Sequence, residues 1–441
     1  MLKGTFFGGI HPFDGKEMSK DKPIVDYIPK GDMIYPLQQH LGAPAVPVVA
    51  KGDYVRHGQL LAEAGGFVSA PVYSACSGVV KNIEPHLTVG GDMVDSIIIE
   101  NDGKFTPIEA EETATVTLTP EVILEKIKKA GVVGMGGAGF PTHIKLSPKE
   151  PDKIDYIIVN CSECEPYLTS DYRRMVENPE NIIEGLEYIL AIFPHAKGII
   201  AVEDNKADAA VKLEKLCINK PDISICLLKT KYPQGSERQL IYACTGRKIN
   251  SSMLPADGGC IVNNTDTVCA VRDAVAEDKP LLYRIVTVTG DAIKNPVNFR
   301  VPIGTLYSEL IDEAGGFIKE PDQIISGGPM MGLSLYDIKV PVIKTSSALL
   351  CLTSNDVKTH KQTACINCGR CASACPEQLM PGMLLNAAEA SDQETFLRLY
   401  GMECIECGAC SYICPAKQPL THSIRTMRRN IMAERKRKGD K

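Results

Sequence analysis

The 441-residue chain has nothing approaching the roughly 18 consecutive apolar residues that cross a bilayer, so a membrane role must come through partners. It has no excess of basic charge. The 48 Lys and Arg stand against 54 Asp and Glu, and a formal net charge of −6 gives no reason to expect nucleic acid as the main partner. The opening residues, MLKGTFFGGIHPFDG, hold no apolar run of signal-peptide length. A disulfide framework is then a poor reading, and reduced thiols in the cytosol are the default. At 44% apolar and 23% charged residues, the composition is that of a soluble globular protein long enough for three or four domains.

What the chain holds in unusual number is cysteine: 17 residues, eight of them between positions 365 and 414. Residues 365–376 read CINCGRCASACP and residues 404–415 read CIECGACSYICP, each C-x2-C-x2-C-x3-C-P. This is the ligand run of a two-cluster ferredoxin, in which three cysteines hold one cubane and the fourth reaches to the other. Two-residue gaps let one tight loop present three thiolates to three corners of a cube, and the proline stops the turn from continuing as helix. The pattern predicts one [4Fe–4S] cluster on Cys365, Cys368, Cys371 and Cys414. It predicts a second on Cys404, Cys407, Cys410 and Cys375. Zinc is the rival, but structural zinc usually takes two separated C-x2-C pairs, and a third cysteine at that spacing serves no tetrahedral site well. The segment MLLNAAEASDQETFLRLYGM between the two runs reads as helical. Neither cubane does two-electron chemistry, so such a site is expected elsewhere in the chain.

The stretch GVVGMGGAGFPTHIKL, residues 131–146, scans as G-x-G-x-x-G through Gly134, Gly136 and Gly139. A Rossmann fingerprint needs a strand before it and a helix after it. Here the run follows a predicted helix over 119–131, with Thr119 as N-cap, Pro120 at the first helical position and Gly131 at the exit. Phe140 and Pro141 interrupt any helix after it, and no G-K-[ST] follows, so the P-loop reading fails too. What remains is a glycine-rich loop whose backbone can approach a flat or phosphorylated ligand closely. Beyond it, DYIIVN, AKGIIAVE and DISICLLK read as strands alternating with the helices NPENIIEGLEYILAIF and NKADAAVKLEKL. They predict an open α/β sheet with ligand groups at the strand ends.

GMGGAGFPTHIK, NCSECEP, YPQGSE and VNNTDT occur in the order, and near the spacing, of the flavin- and NADH-binding subunit family of respiratory complex I, which this region resembles. The resemblance implies FMN bordered by Gly134, Gly136, Gly137, Gly139, Lys145, Asn160, Ser162, Glu163, Tyr232, Gly235, Asn263, Asn264 and Thr267. It places Phe140, Glu165 and Glu237 toward NAD(H), stacked above the flavin. A lysine there stabilises reduced, anionic flavin, and acids can accept ribose hydroxyls. The chain departs from the family at Pro148, where a second aromatic is usual, at Ser236, where an acid is usual, and at Cys161 and Cys164. Read alone, those two thiols admit a redox pair or a metal half-site; buried inert thiols are the preferred reading.

Residues 45–83 resemble a biotinyl/lipoyl-type barrel-sandwich whose tip, AGGFVSAPVYSA, has no modifiable lysine, which makes it a structural or docking module. Residues 284–335 resemble the β-grasp domain that follows the flavin fold in complex I. The full arrangement, from GGIHP through GGPMMG to the cysteine runs, resembles the C-subunit family of Rnf complexes, membrane-bound ferredoxin:NAD+ oxidoreductases. The expected fold is multidomain α/β. A barrel-sandwich hybrid spans 1–115, the α/β flavin/NADH-binding fold 116–280, a β-grasp domain 281–340, a helical two-[4Fe–4S] ferredoxin-type domain 355–420 and a basic tail 421–441.

The resemblance implies a peripheral subunit on the cytoplasmic side of the cell membrane. It would exchange hydride between NAD(H) and FMN and single electrons with two [4Fe–4S] clusters. Its partners would be the other Rnf subunits and, indirectly, ferredoxin, with coupling to Na+ or H+ translocation. The alternatives are a flavin-bearing NADH-input subunit of a soluble hydrogenase- or formate-dehydrogenase-like complex, and an electron-wire or scaffold subunit without flavin. His11 in GGIHP reads as a packed residue. The basic tail reads as solvated, or as attracted to anionic lipid or to a neighbouring subunit.

Overall fold

The computed structural model describes residues 4–109, 117–354 and 361–438. The expected boundaries near 115 and 355 and the last three residues of the tail lie outside the described residues. Four strands, Tyr156–Cys161, Lys197–Glu203, Ile223–Leu228 and Cys260–Asn264, form an all-parallel sheet in the spatial order third, second, first, fourth. Runs such as YIIVNC and KGIIAVE are apolar almost throughout because both faces of the sheet are covered. The helices Pro120–Lys129, Pro179–Ile192, Ala207–Leu216 and Thr265–Glu277 cover one face over a core that includes Ile157, Val159, Leu186, Ile200 and Val268. The Glu237–Thr245 helix covers the other through Leu240 and Ile241 against Ile158 and Val262.

The Pro120–Lys129 helix is capped by Thr119, whose hydroxyl accepts from Val122 N at 3.4 Å, and the chain leaves it through Gly131 at φ +67°. The glycine run then closes a narrow loop: Gly134 N donates to Phe140 O at 2.8 Å and Thr142 N to Val132 O at 3.0 Å. Two small antiparallel sheets sit under that loop. One holds Met33–Pro36, Met93–Asn101, Gly78–Leu87 and Tyr54–Val55; the other holds Val46–Pro47, Leu60–Glu63 and Val72–Tyr73. Their shared core of Tyr35, Leu61, Val72, Ile97 and Ile99 also takes in Val133 and Met135, so the barrel-sandwich is part of the floor of the glycine loop.

A six-stranded sheet runs in the order Ile24–Asp26, Val297–Pro302, Tyr283–Thr289, Ala348–Leu352, Gln323–Ser326 and Leu333–Leu335. Two of its strands lie outside the expected 281–340 span. Ala348–Leu352 is buried throughout and lies between Tyr283–Thr289 and Gln323–Ser326, while Ile24–Asp26 adds in parallel at one edge. ALLCL is a continuous apolar run, and such a run is what a doubly covered central strand requires.

Between the cysteine runs the chain forms two helices, Pro381–Glu389 and Gln393–Arg398, broken at Ser391 with φ +55°. The tail is not simply solvated. Leu420–Lys438 is a helix whose residues Leu420, Ile424, Met427 and Ile431 are buried at four- and three-residue spacing, the apolar stripe of a packed helix. Ile424, Met427 and Ile431 meet Leu384 and Ala387 of Pro381–Glu389; Arg425 and Arg428 pair with Glu406, and Arg435, Lys436, Arg437 and Lys438 are exposed at the far end. Among the described residues no helix is long and apolar enough to cross a membrane.

Gly185 brings the Pro179–Ile192 helix against the Thr265–Glu277 helix so closely that a Cβ would lie 2.1 Å from Val268 O. Gly185→Ala is therefore expected to destabilise the α/β unit by roughly 1–3 kcal/mol through overpacking. Thermal unfolding checks this, and an unchanged midpoint would contradict it.

Candidate functional site

The glycine loop is docked on the start of the Thr265–Glu277 helix. Met135 N donates to Thr267 Oγ1 at 2.9 Å, and a Cβ at Gly136 would lie 3.0 Å from that of Asn264. Asn264 caps the helix by accepting from Asp266 N at 2.9 Å, and its amide donates to Asp171 Oδ2 at 2.8 Å. Gly139 holds φ +70°, and a Cβ there would come within 2.8 Å of Thr345 Cγ2. Among the described residues nothing lies within 4 Å of a Cβ built at Gly137, so the outer edge of the loop faces away from them. Phe140 is half-buried. Lys145 donates to Glu237 Oε1 at 2.9 Å, which joins two expected site residues directly.

Asn160 and Asn264 are register partners at the carboxyl ends of adjacent strands. Asn160 Nδ2 donates to Gly235 O at 2.8 Å, and its Oδ1 accepts from Ser162 N at 3.2 Å. The chain then crosses the sheet end as CSECEP, with Glu163 at φ +47°. Two buried lysines hold this crossing. Lys206 Nζ donates to Ser162 O at 2.6 Å; Lys16 Nζ donates to Glu163 O and Glu165 O at 2.9 Å each, and also to Leu168 O. Burial pulls the Lys16 pKa down. Glu163 Oε1 accepts from Asp171 N at 2.7 Å. Buried polar atoms here without a hydrogen-bond partner among the described residues include Ser162 Oγ, Glu163 Oε2 and Asn263 Nδ2, and also Glu203 Oε1 and both side-chain polar atoms of Gln234. The nearest cation to Glu163 Oε2 among those residues is Lys16 Nζ at 3.7 Å.

Burial, reinforced by Glu163 and Asp266, pushes the Asp171 carboxyl up to about 7. Asp266 goes the other way: despite burial, the Arg174 and Arg284 guanidiniums hold it below the usual carboxylate range. Glu165 is also pushed up to about 7 by burial. Its oxygens accept from Met330 N at 3.3 Å and Met331 N at 2.8 Å, in the GGPMMG turn of the six-stranded sheet. Cys161 and Cys164 go separate ways. Cys161 Sγ accepts from Thr265 Oγ1 at 3.3 Å, and Cys164 Sγ from Gly235 N at 3.2 Å. Burial raises both thiols, Cys164 to about 12, which makes them protonated and unreactive.

Tyr232 is buried, and its hydroxyl donates to Cys407 O at 2.7 Å, linking this region to the cysteine runs. Cys375, Cys404, Cys407 and Cys410 line one cavity, closed by Leu384, Ile405 and Ile424. Cys371 and Cys414 pack together around Leu385 and Leu420, while Cys365 and Cys368 are exposed. The two runs repeat one turn. Asn367 and Glu406 both take positive φ, and their amides donate to Cys365 Sγ and Cys404 Sγ at 3.4 Å each. Leu379 N and Gln418 N likewise donate to Cys375 Sγ at 3.4 Å and Cys414 Sγ at 3.5 Å. Among the described residues no three His, Cys, Asp or Glu side chains converge to hold a single metal ion; the thiols instead surround a volume.

Family models match the chain in four blocks: the RnfC barrel sandwich hybrid domain over residues 4–104, the Nuo51 FMN-binding domain over 127–273, the SLBB domain over 285–334 and the 4Fe-4S dicluster domain over 364–418. The chain is 45% identical to the C-subunit of the proton-translocating ferredoxin:NAD(+) oxidoreductase complex of Clostridium ljungdahlii, over 87% of this chain and 84% of that protein. It is 43% identical to the C-subunit of the Na(+)-translocating ferredoxin:NAD(+) oxidoreductase complex of Acetobacterium woodii, over 99% of each. The chain belongs to the Rnf C-subunit family.

The C-subunit of the ion-translocating oxidoreductase complex of Rhodobacter capsulatus is a further member, 39% identical over 98% of this chain and 84% of its own length. Among solved structures, an NAD+-reducing [NiFe]-hydrogenase in the H2-reduced state covers 71% of this chain and 61% of its own, at 18% identity and a TM-score of 0.48. The end-to-end reach of the Rnf relatives favours this family over the hydrogenase- or formate-dehydrogenase-type alternative. FMN and [4Fe–4S] clusters are the groups its matched domains hold.

The residues present fit those groups. Unpartnered buried donors and acceptors collect at the strand ends on which an open-edged glycine loop is docked, and four thiols ring a cavity. Lys16, Lys206 and Asp171 complete this region and escape sequence reasoning, because each comes from outside the glycine, CSECEP and Asn-Asn segments and carries no motif of its own.

A carboxyl held at about 7 when folded, against 4.5 when free, binds more protons folded than unfolded between those values. The stability contributed by Glu165 therefore falls as pH rises through that window, by up to about 3 kcal/mol. Glu165→Gln is expected to flatten the dependence of the thermal midpoint on pH from about 5 to about 7. A variant profile parallel to that of the unaltered protein would contradict this.

Proposed function

We propose that the protein is the peripheral subunit through which a membrane-bound ferredoxin:NAD+ oxidoreductase complex exchanges electrons with NAD(H). Held by this chain, FMN would supply hydride exchange with a nicotinamide and single-electron exchange with iron–sulfur clusters. The part of this chain is to bind and orient. Gly134, Gly136, Gly137 and Gly139 let the backbone come close to a flat ring system. Ser162, Glu163 and Asn263 offer it their unpartnered polar atoms. Asn160, Tyr232, Gly235, Asn264 and Thr267 hold the walls through the hydrogen bonds they make to one another and to neighbouring backbone.

Lys145 supplies positive charge, tempered by its pairing with Glu237. Phe140 and Glu237 serve the nucleotide, Phe140 as a stacking surface and Glu237 as an acceptor for ribose hydroxyls. Glu165, with both oxygens taken by the Met330 and Met331 amides, ties the six-stranded sheet to the site instead. Cys365, Cys368, Cys371 and Cys414 hold one cubane, and Cys404, Cys407, Cys410 and Cys375 the other. The subunit lies on the cytoplasmic side of the membrane, beside the other subunits of its complex, and ferredoxin is reached through them. Coupling to proton or sodium translocation, named for two of the relatives, belongs to the assembled complex.

The observation that carries this reading is the set of orphaned polar atoms at Ser162, Glu163 and Asn263, at the strand ends where the glycine loop docks. The anaerobically purified chain is expected to hold about eight irons and about one FMN. Zinc in place of iron would sink the cluster reading. Lys145→Ala removes the positive charge and is expected to lower the flavin midpoint potential. Glu237→Gln frees that charge and is expected to raise it. Potentiometric titration reads both, and equal potentials in both variants and the unaltered protein would contradict the placement of Lys145.

A further inference from the structure

The GGIHP motif near the N-terminus takes no part in the site described so far, yet it touches both halves of the molecule. Gly4 extends the parallel sheet at its Ile223–Leu228 edge: Gly4 N donates to Leu227 O at 2.8 Å, and Lys229 N to Gly4 O at 2.9 Å. Ile10 then pairs with Tyr232 in both directions, Ile10 N to Tyr232 O at 2.8 Å and Tyr232 N to Ile10 O at 2.9 Å. Between these two anchors the segment turns toward the cysteine runs, where Gly9 N donates to Ala374 O at 2.9 Å. The Ile10 side chain is buried in one cluster with Tyr232, Ala374, Cys407 and Ala409.

Both glycines are required by space and by backbone conformation. Gly8 has φ +76°, and a Cβ there would lie 2.7 Å from Cys375 O; Gly9 has φ +82°, and a Cβ would lie 2.8 Å from Tyr232 O. Lys231 fixes the segment from the α/β side. Its Nζ donates to Gly8 O at 3.0 Å and to Phe6 O, and sits 3.8 Å from the centre of the Phe6 ring. The remaining ties between the two units include half-buried ion pairs of Arg238 with Glu377 and Glu403. Such pairs tolerate sliding better than a backbone clamp does.

We infer that residues 8–10, gripped by Lys231 and seated on Tyr232, form an inter-domain clamp that fixes how closely the cavity of Cys375, Cys404, Cys407 and Cys410 approaches the α/β unit. These are positioning residues for electron passage between flavin and cluster, and in that respect the inference rests on the function proposed above. Lys231 grips only the carbonyls of Phe6 and Gly8, so loosening it there is expected to leave the cysteines and the glycine loop in place and to change the separation of the two units.

The test uses the whole chain carrying its cofactors, as Gly9→Ala and Lys231→Met, with Lys231→Arg as the conservative control. Iron and flavin contents and the rate of flavin reduction by NADH are expected to match the unaltered protein. In single turnover, cluster bleaching after flavin reduction is expected to slow about tenfold or more in Gly9→Ala and Lys231→Met, and to recover in Lys231→Arg. Hydrogen–deuterium exchange is expected to rise in residues 228–236 and 370–378. Lys231→Met lies away from the cysteines, so it decides the matter if Gly9→Ala loses a cluster. Cluster reduction at the unaltered rate, or unchanged exchange, in Lys231→Met would overturn the clamp. If NADH leaves the flavin of the unaltered protein oxidised, the proposed function fails instead, and the exchange data alone decide the clamp.

Discussion

Two buried ammonium groups, those of Lys16 and Lys206, hold the chain crossing at the functional end of this molecule. After the Tyr156–Cys161 strand the chain must cross the end of a parallel sheet beside the six-stranded sheet, with its carbonyls wholly or partly buried. Buried backbone acceptors left without donors are costly, and Lys16 satisfies those of Glu163, Glu165 and Leu168 at once. Burying that charge is itself unfavourable, and the carbonyls together with the nearby Glu163 carboxylate offset it. Lys206, paired with Glu203 and bonded to Ser162 O, does the same at the start of the crossing. With the backbone of 162–168 fixed this way, the side chains of Ser162 and Glu163 keep unused polar capacity for a ligand.

This division explains what is legible in the sequence. The strands DYIIVN, AKGIIAVE and DISICLLK, the capped helix after Thr119 and the loop around Gly134 carry strong local signals, and the structure has each of them. Ala348–Leu352 and Ile24–Asp26 cannot be assigned to the six-stranded sheet from sequence, because strand partnership across a long separation leaves no mark in either segment. The tail departs from expectation for a related reason. Its eight Lys and Arg residues hide an apolar stripe that only the Pro381–Glu389 helix reveals. Within the site, the motif residues are readable, but Lys16 and Lys206 are not. Likewise, no pattern shows that the Glu165 oxygens go to Met330 and Met331 while Lys145 turns to Glu237.

The cysteine runs show how two sites of one design come to differ. Each run places a residue at positive φ after its first cysteine and donates equivalent N–H···S bonds, so hydrogen bonding to sulfur is nearly matched between them. Burial is what separates them. Cys375 and Cys407 lie in the interior, Cys407 against Tyr232 and Ile10, whereas Cys365 and Cys368 face solvent. Solvent exposure is one of the main determinants of cluster potential, so clusters held by these two sets as proposed would differ in potential.

The strand ends at Asn160 and Asn264, roofed by the glycine loop, are where the flavin is proposed to sit. A structure of the cofactor-loaded protein tests this most directly. Flavin density is expected beside Gly136 and Gly137, with Ser162 Oγ, Glu163 Oε2 and Asn263 Nδ2 each within hydrogen-bond distance of the cofactor or of water bound to it. Flavin bound elsewhere, with those three atoms still unpartnered, would contradict it.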